Sequence, residues 1–170
     1  RSCTAYGLDV ASQLGYELAR QGALVLSGMA KGIDGTAMKG ALRAGGFTAA
    51  VLGGGVDVVY PAENRRIYED VAATGVLLSE YPPGTEPVGS HFPVRNRILS
   101  GLSLAAVVVE APERSGALIT ASTALEQGRE VFAVPGPINA PNSKGCNALI
   151  RDGAGLVSEA WDILSFYEGR

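Results

Sequence analysis

The chain has one histidine, two cysteines and no apolar run approaching the roughly 18 residues of a membrane span. Each shortage excludes something. With His91 the lone imidazole, and with neither an HExxH helix nor Cys/His ligands at metal spacing, no metal site and no cofactor are legible. No G-x-S-x-G is present, and no partner can be identified that would make His91 a general base in its loop, so no catalytic residue is expected. Glu80, Asp57, Glu110 and Glu113 fall near strand ends, where they could be paired carboxylates or ion-pair partners of arginines; spacing does not decide. Cys3 and Cys146 stand far apart and form no CxxC, so there is no disulfide framework, and free thiols suit a reducing cytoplasm. No charged segment leads into an apolar stretch, so no secretory signal is visible and no membrane association is expected. Positive charge is short as well. With 14 Lys and Arg against 17 Asp and Glu, the net charge is −3, and the pI is about 5.2. That excludes a protein coated in positive charge for nucleic acid, and any polyanion must be met by a local cluster.

What is present is the material of a core. Of the 170 residues, 46% are apolar and 18% charged, a length and composition that fit one domain spanning 1–170. The sequence opens at Arg1 in what reads as a loop, so the expectation is a segment of a longer protein, with at least one strand and any flanking domains outside it. Helical spacing over 6–20 is followed by the apolar strand "ALVLS" (23–27), then by a helix that Asp34 would cap, with Ala37, Met38, Ala41 and Leu42 inward. "TAAVL" (48–52), "VLLSEY" (76–81), "AAVVVEA" (105–111) and "EVFAVPG" (130–136) read as further strands, with 105–111 the most apolar and therefore central. Helices are predicted over 61–74, 93–103, 117–128 and 147–154, the first two with proline near the start. No linker, repeat or low-complexity segment interrupts the series. Uniformly apolar strands alternating with helices predict a doubly wound, mostly parallel α/β sheet covered by helices on both faces, of Rossmann-like type.

In such sheets ligands bind beyond the carboxyl ends of the strands. The turns expected there hold Arg1, Lys31, Arg95, Arg97, Arg114 and Lys144, a local basic set within an acidic chain. The turn "SGMAKGID" (27–34) reads G-x-x-x-G-x-x-G through Gly35, neither a dinucleotide fingerprint nor a Walker loop, and no acidic residue follows about 20 positions later to hold a ribose. Ser27, Gly28, Lys31 and Gly32 are nonetheless candidates for gripping an anion through backbone N–H groups and an ammonium; tight turns and helix packing would equally call for the glycines. Phe92 ahead of Arg95-Asn96-Arg97 could stack on a base beside guanidinium groups, or belong to the core with the arginines paired to Glu80 or Glu110. Arg95 and Arg97 lie two apart on a helix, so they point to different sides and one is expected to be structural. Ser115 and Gly116 open the helix after the strand taken as central; Ser115 is a natural N-cap, and its place in the crevice also makes the pair a binding candidate.

Six stretches in series now resemble one family. "RSCTAYG", "SGMAKGID", "LGGGVDVVYPAEN", "FPVRNRILSGLS", "SGALITASTALEQGREVFAVPG" and "SKGCNALIRDGA" cover nearly the whole chain and are similar to the Rossmann-like core of the DNA-processing protein A (DprA, or Smf) family. The resemblance implies a bacterial cytoplasmic protein that binds single-stranded DNA. It further implies protection of incoming strands in natural transformation, help in loading a RecA-type recombinase, a homodimer and no catalysis. Carried over by position, Arg1 matches an arginine that meets DNA, Lys31 a lysine that meets the backbone, and Phe92 a base-stacking aromatic. A further lysine that some relatives carry just before that aromatic is absent here, where Gly89, Ser90 and His91 stand. The region of Leu149, Ile150, Leu156 and Val157 matches one near the subunit interface, unless these residues simply close the core. The alternative from the same superfold is a nucleotide phosphoribohydrolase or a nucleotide-sensing module. The former carries P-G-G-x-G-T-x-x-E where this chain has "APERSGALITASTALE", without the glycine pair.

Overall fold

The computed structural model describes residues 3–170, and its strands and helices alternate as the apolar pattern demands. In order they are α1 (Ala5–Arg20), β1 (Val25–Ser27), α2 (Ile33–Arg43), β2 (Thr48–Val51), a 3-10 turn (Ala62–Asn64), α3 (Arg65–Thr74), β3 (Val76–Leu78), α4 (His91–Leu102), β4 (Ala105–Val108), α5 (Gly116–Glu126), β5 (Glu130–Ala133), a second 3-10 turn (Pro141–Ser143), α6 (Lys144–Arg151), β6 (Gly155–Leu156) and α7 (Trp161–Tyr167). The described chain forms two compact units, residues 4–99 and residues 100–170 together with Cys3.

Each unit holds a parallel sheet of three strands, in the order β1-β2-β3 in the N-terminal unit and β4-β5-β6 in the C-terminal unit. The register runs from Val25 opposite Thr48 and Ala49 opposite Val76 in the first, and from Ala105 opposite Glu130 and Phe132 opposite Gly155 in the second. The parallel α/β class expected from uniformly apolar strands is therefore present. β5, however, is the middle strand of its sheet, and β4, the most apolar run, lies at one end of it. Met29, Met38, Ala50, Leu52, Ile67 and Val71 form the core of the N-terminal unit. Val108, Ala111, Ala121, Ala124, Val131, Ala133 and Cys146 form that of the C-terminal unit. Burial there pushes the Cys146 thiol up to about 11, which makes it a packing residue and not a nucleophile.

Local chemistry accounts for the boundaries. The Thr4 hydroxyl accepts from the Gly7 N–H at 3.1 Å and caps α1. Asp34 does not cap α2, as its position suggests; Gly32 holds the cap, and Asp34 sits inside the first turn. Pro93 falls at the third position of α4, one residue pair later than the sequence predicts, so His91 opens that helix and is not in a loop. Helices α1 and α2 pack backbone to backbone. A Cβ on Gly15 would stand 2.1 Å from the Ala37 carbonyl oxygen, and one on Gly40 would stand 2.3 Å from that of Ser12.

Those approaches decide the sign of a substitution. In an exposed helix, Gly→Ala gains roughly 1 kcal/mol in propensity. At Gly15 the obstacle is backbone, so the two helices must move apart, and overpacking costs typically about 1–3 kcal/mol. Gly15→Ala is expected to destabilise the protein, read as a lower midpoint in urea unfolding. An unchanged or higher midpoint would mean that the two helices separate freely.

Candidate functional site

The turns after β1, β2 and β3 are tied into one surface of the N-terminal unit. Gly55 N–H donates to Thr85 O at 2.9 Å and Leu52 N–H to Leu78 O at 2.8 Å. The Ser79 hydroxyl donates to Gly54 O at 2.7 Å, and Gly84 N–H donates to the Asp57 carboxylate at 2.8 Å. Asn64 fastens the turn after β1 by donating to Met29 O at 2.8 Å and Ala30 O at 3.2 Å.

Within that turn the N–H groups expected to face an anion already face one. The Asp34 carboxylate accepts from Gly28 N–H at 3.1 Å and Ala30 N–H at 3.3 Å. An acid in the first turn of α2 can reach back over the turn, where helix-terminal donors favour negative charge. Gly28 and Ala30 therefore hold the protein's own carboxylate. Met29 is fully buried with φ 62°, and Gly32 takes φ 85°. Ser27, at the end of β1, is half-buried.

The two arginines of α4 divide as their spacing requires. Arg95 is 6% exposed. Its Nη1 donates to Gly28 O at 2.7 Å and Val51 O at 2.6 Å, and its Nε donates to Asn96 Oδ1 at 3.1 Å. A Cβ on Gly28 would lie 2.6 Å from the guanidinium carbon, so the glycine makes room for this side chain. Burial lowers the Arg95 pKa, and the nearby Asp34 charge opposes that shift. Arg97 is exposed and forms an ion pair with Glu80.

Phe92, one turn before Arg95, is half-buried. Its ring lies 5.4 Å from the Arg95 guanidinium and stacks on Tyr60 with centroids 5.7 Å apart and planes 17° from parallel. Gly53 leaves space for it, since a Cβ there would come within 2.8 Å of the ring. Tyr60 is 50% exposed. The neighbouring His91 ring stacks on Tyr81 at 4.0 Å, with its Nδ1 2.7 Å from Gly53 O. His91 thus ties α4 to the turn after β2. Of the acids near strand ends, Asp57 holds a loop N–H and Glu80 meets an arginine, so ion pairing and loop closure account for both.

Lys31 stands at the surface in an ion pair with Glu63, both side chains 63% exposed. The mutual hydrogen bond raises the Lys31 ammonium above its ordinary value and lowers the Glu63 carboxyl below its own.

The other candidates are in the C-terminal unit. Ser115 caps α5, its hydroxyl accepting from Leu118 N–H at 3.4 Å, and Gly116 is the first helical residue. Leu149 and Ile150 pack against the core of that unit, and Leu156, on the end strand β6, is 48% exposed. Glu113, Lys144 and Arg151 line a shallow pocket of about 300 Å³ there. Arg1 lies outside the described residues. Among the described residues, no helix is long and apolar enough to cross a membrane. Sequence reasoning missed Tyr60, whose signal was the aromatic inside "VVYPAEN", and it missed the roles of Asp34, Glu63 and Asn64 around the glycine turn.

A family described as DNA recombination-mediator protein A matches residues 1–168 of the sequence. DNA processing protein DprA of Bacillus subtilis is 48% identical over 163 residues, which are 96% of this chain and 55% of that protein. The chain spans about half the length of the curated relatives it matches. The X-ray structure of DNA processing protein A from Streptococcus pneumoniae is similar with a TM-score of 0.91 at 43% identity, over 99% of this chain and 59% of that one. A second similar structure, of DNA processing protein A from Helicobacter pylori, concerns that protein's single-stranded DNA binding mode. It gives a TM-score of 0.88 at 29% identity, over 98% of this chain and 75% of that one.

The two arginines should separate in an unfolding experiment. Arg95→Ala leaves two carbonyls inside the unit without their donor, each worth about 1–3 kcal/mol when unsatisfied. Arg97→Ala breaks an exposed pair worth at most about 1 kcal/mol. Denaturant titration should therefore show a loss of several kcal/mol for the first and a small change for the second. Equal effects would contradict this division.

Proposed function

Because the chain belongs to the DNA recombination-mediator protein A family, we propose that its N-terminal unit binds single-stranded DNA across the carboxyl ends of β1, β2 and β3. The observation that carries this reading is the aromatic step of half-exposed Tyr60 and half-buried Phe92, in a unit whose Lys31 and Arg97 are exposed cations. Lys31 reaches Glu63, three residues beyond Tyr60, and Arg97 follows Phe92 by five residues on α4. Unpaired bases have free faces for such rings, and phosphates suit the two exposed cations. Lys31 and Arg97 are the phosphate contacts in this reading and Phe92 the stacking residue. Arg95, Gly28 and Gly32 shape the surface. Arg1 would add a further phosphate contact.

The protein would act as a cytoplasmic recombination mediator, protecting incoming strands in natural transformation and helping to load a RecA-type recombinase. Exposed Leu156 is consistent with a homodimer formed through the C-terminal unit, which sedimentation over a concentration series would test. A binding role without catalysis is supported by the engagement of His91 with Gly53 and Tyr81 and by the use of the Ser115 hydroxyl as a cap. Titration with labelled oligo(dT) beside AMP and ATP separates strand binding from nucleotide sensing, and base release from nucleoside monophosphates would reveal a phosphoribohydrolase.

Each phosphate contact on a single strand contributes roughly 0.7 to the slope of log affinity against log salt. Lys31→Ala should weaken oligo(dT) binding for every sequence and flatten that slope by up to about this amount. Phe92→Ala should remove roughly 1–3 kcal/mol while leaving the slope nearly unchanged. Fluorescence anisotropy at several salt concentrations measures both, with circular dichroism confirming the fold. A folded Lys31→Ala protein with the parent's affinity and slope would overturn this assignment.

A further inference from the structure

A chain with a net charge of −3 is an unexpected host for a polyanion, and the N-terminal unit adds to the difficulty by placing its own acids on its anion-binding groups. Asp34 occupies the turn N–H groups, Glu80 meets Arg97 and Glu63 meets Lys31. We propose that Glu63 is a built-in competitor for the bound phosphate. It holds Lys31 in an exposed ion pair that an incoming strand must open, and it thereby sets the affinity and salt dependence of the site. This inference rests on the single-stranded DNA reading above and names a residue that tunes it.

The backbone brings Lys31 and Glu63 within reach of each other. They come from different elements, 32 positions apart. The residue next to Glu63 is Asn64, whose amide is bonded to Met29 O and Ala30 O, immediately before Lys31. The clamp holds the backbone at Glu63 close to that at Lys31, so a displaced carboxylate remains near the ammonium. Both side chains are 63% exposed, so the pair opens at little cost and a phosphate can reach the ammonium. Glu80 stands on Arg97 in the same way, an exposed acid from the turn after β3 against an exposed cation on α4.

The consequence is an exchange of anions. A phosphate that takes Lys31 gains only the difference between its own contact and that of Glu63. The displaced carboxylate stays close by, so the local positive charge is largely cancelled and fewer counterions leave the strand. Glu63→Gln keeps the shape of the side chain and removes its charge. It should tighten oligo(dT) binding by up to about fivefold, the range of an exposed ion pair. It should also steepen the log affinity–log salt slope by up to about 0.7. Glu69→Gln is the control. It makes the same change in charge on α3, where Glu69 faces Arg65 at 3.9 Å, and it should shift both quantities less.

Anisotropy with labelled oligo(dT) over a salt series, on parent, Glu63→Gln, Glu69→Gln and Lys31→Ala proteins, decides the matter. Tighter binding and a steeper slope in Glu63→Gln alone are expected. If Glu63→Gln matches Glu69→Gln, the effect is general charge and the inference fails. If Glu63→Gln binds more weakly than the parent, Glu63 positions Lys31 for the strand and the inference also fails, while the DNA reading stands. If the parent does not bind, or Lys31→Ala binds as the parent does, the reading of the surface falls and this inference with it.

Discussion

The Arg95 guanidinium, bonded to the carbonyl just after β1 and the last carbonyl of β2, is the contact that fixes the rest of the surface. Burying an unpaired charge is costly, and here the cost is offset by two short hydrogen bonds to Gly28 O and Val51 O and by the nearby Asp34 charge. The bonds place α4 at the carboxyl ends of both strands. Once Arg95 is seated, Phe92 one turn earlier lies over Gly53, and His91 beside it reaches Gly53 O. Gly28 and Gly53 are thus glycines because side chains of α4 occupy the space a Cβ would need. The turns after β1 and β2 are shaped by a helix that arrives some 40 to 70 residues later in the chain.

That origin explains which parts of the site were legible. Apolar runs and helical spacing show the elements, since both come from local periodicity against a core. Strand position within a sheet is not local: the run 105–108 is the most apolar, yet it pairs with β5 alone among the described strands. The glycine turn was read as an anion cradle because a sequence cannot distinguish a gap left for a ligand from a gap left for the protein's own arginine or carboxylate. Both require the same glycines. The spacing of Arg95 and Arg97 announced that one would be structural, but it took the contacts to Gly28 and Val51 to say which. Tyr60 escaped notice because an aromatic in a loop carries no period, and its meaning lies in the ring stacked on it.

Charge in this unit follows a similar division. The buried cation gives geometry and is held by carbonyls, while the exposed cations give charge and are held by carboxylates. Exposed pairs contribute little to stability, so Lys31–Glu63 and Arg97–Glu80 can be opened without loosening the fold. The buried Arg95 bonds cannot be opened in that way. A surface built so has its shape set by bonds within the protein and its charge set by cations in exposed pairs.

This separation also reconciles an acidic chain with the anionic ligand proposed for it. Net charge governs long-range approach, where a value of −3 gives no steering toward a polyanion. Binding at contact depends on which groups can trade one oxygen for another. The acids that lower the net charge include those resting on the cations, so part of the deficit is local and would be removed by the proposed exchange. On the proposed reading, stacking on Phe92 and Tyr60 is indifferent to charge and to salt and would supply the share of affinity that the guarded cations do not. A strand offers both a base face and a phosphate at once, whereas a small anion offers only the second. On the proposed reading, such a surface would favour a strand over inorganic phosphate through geometry more than through excess positive charge.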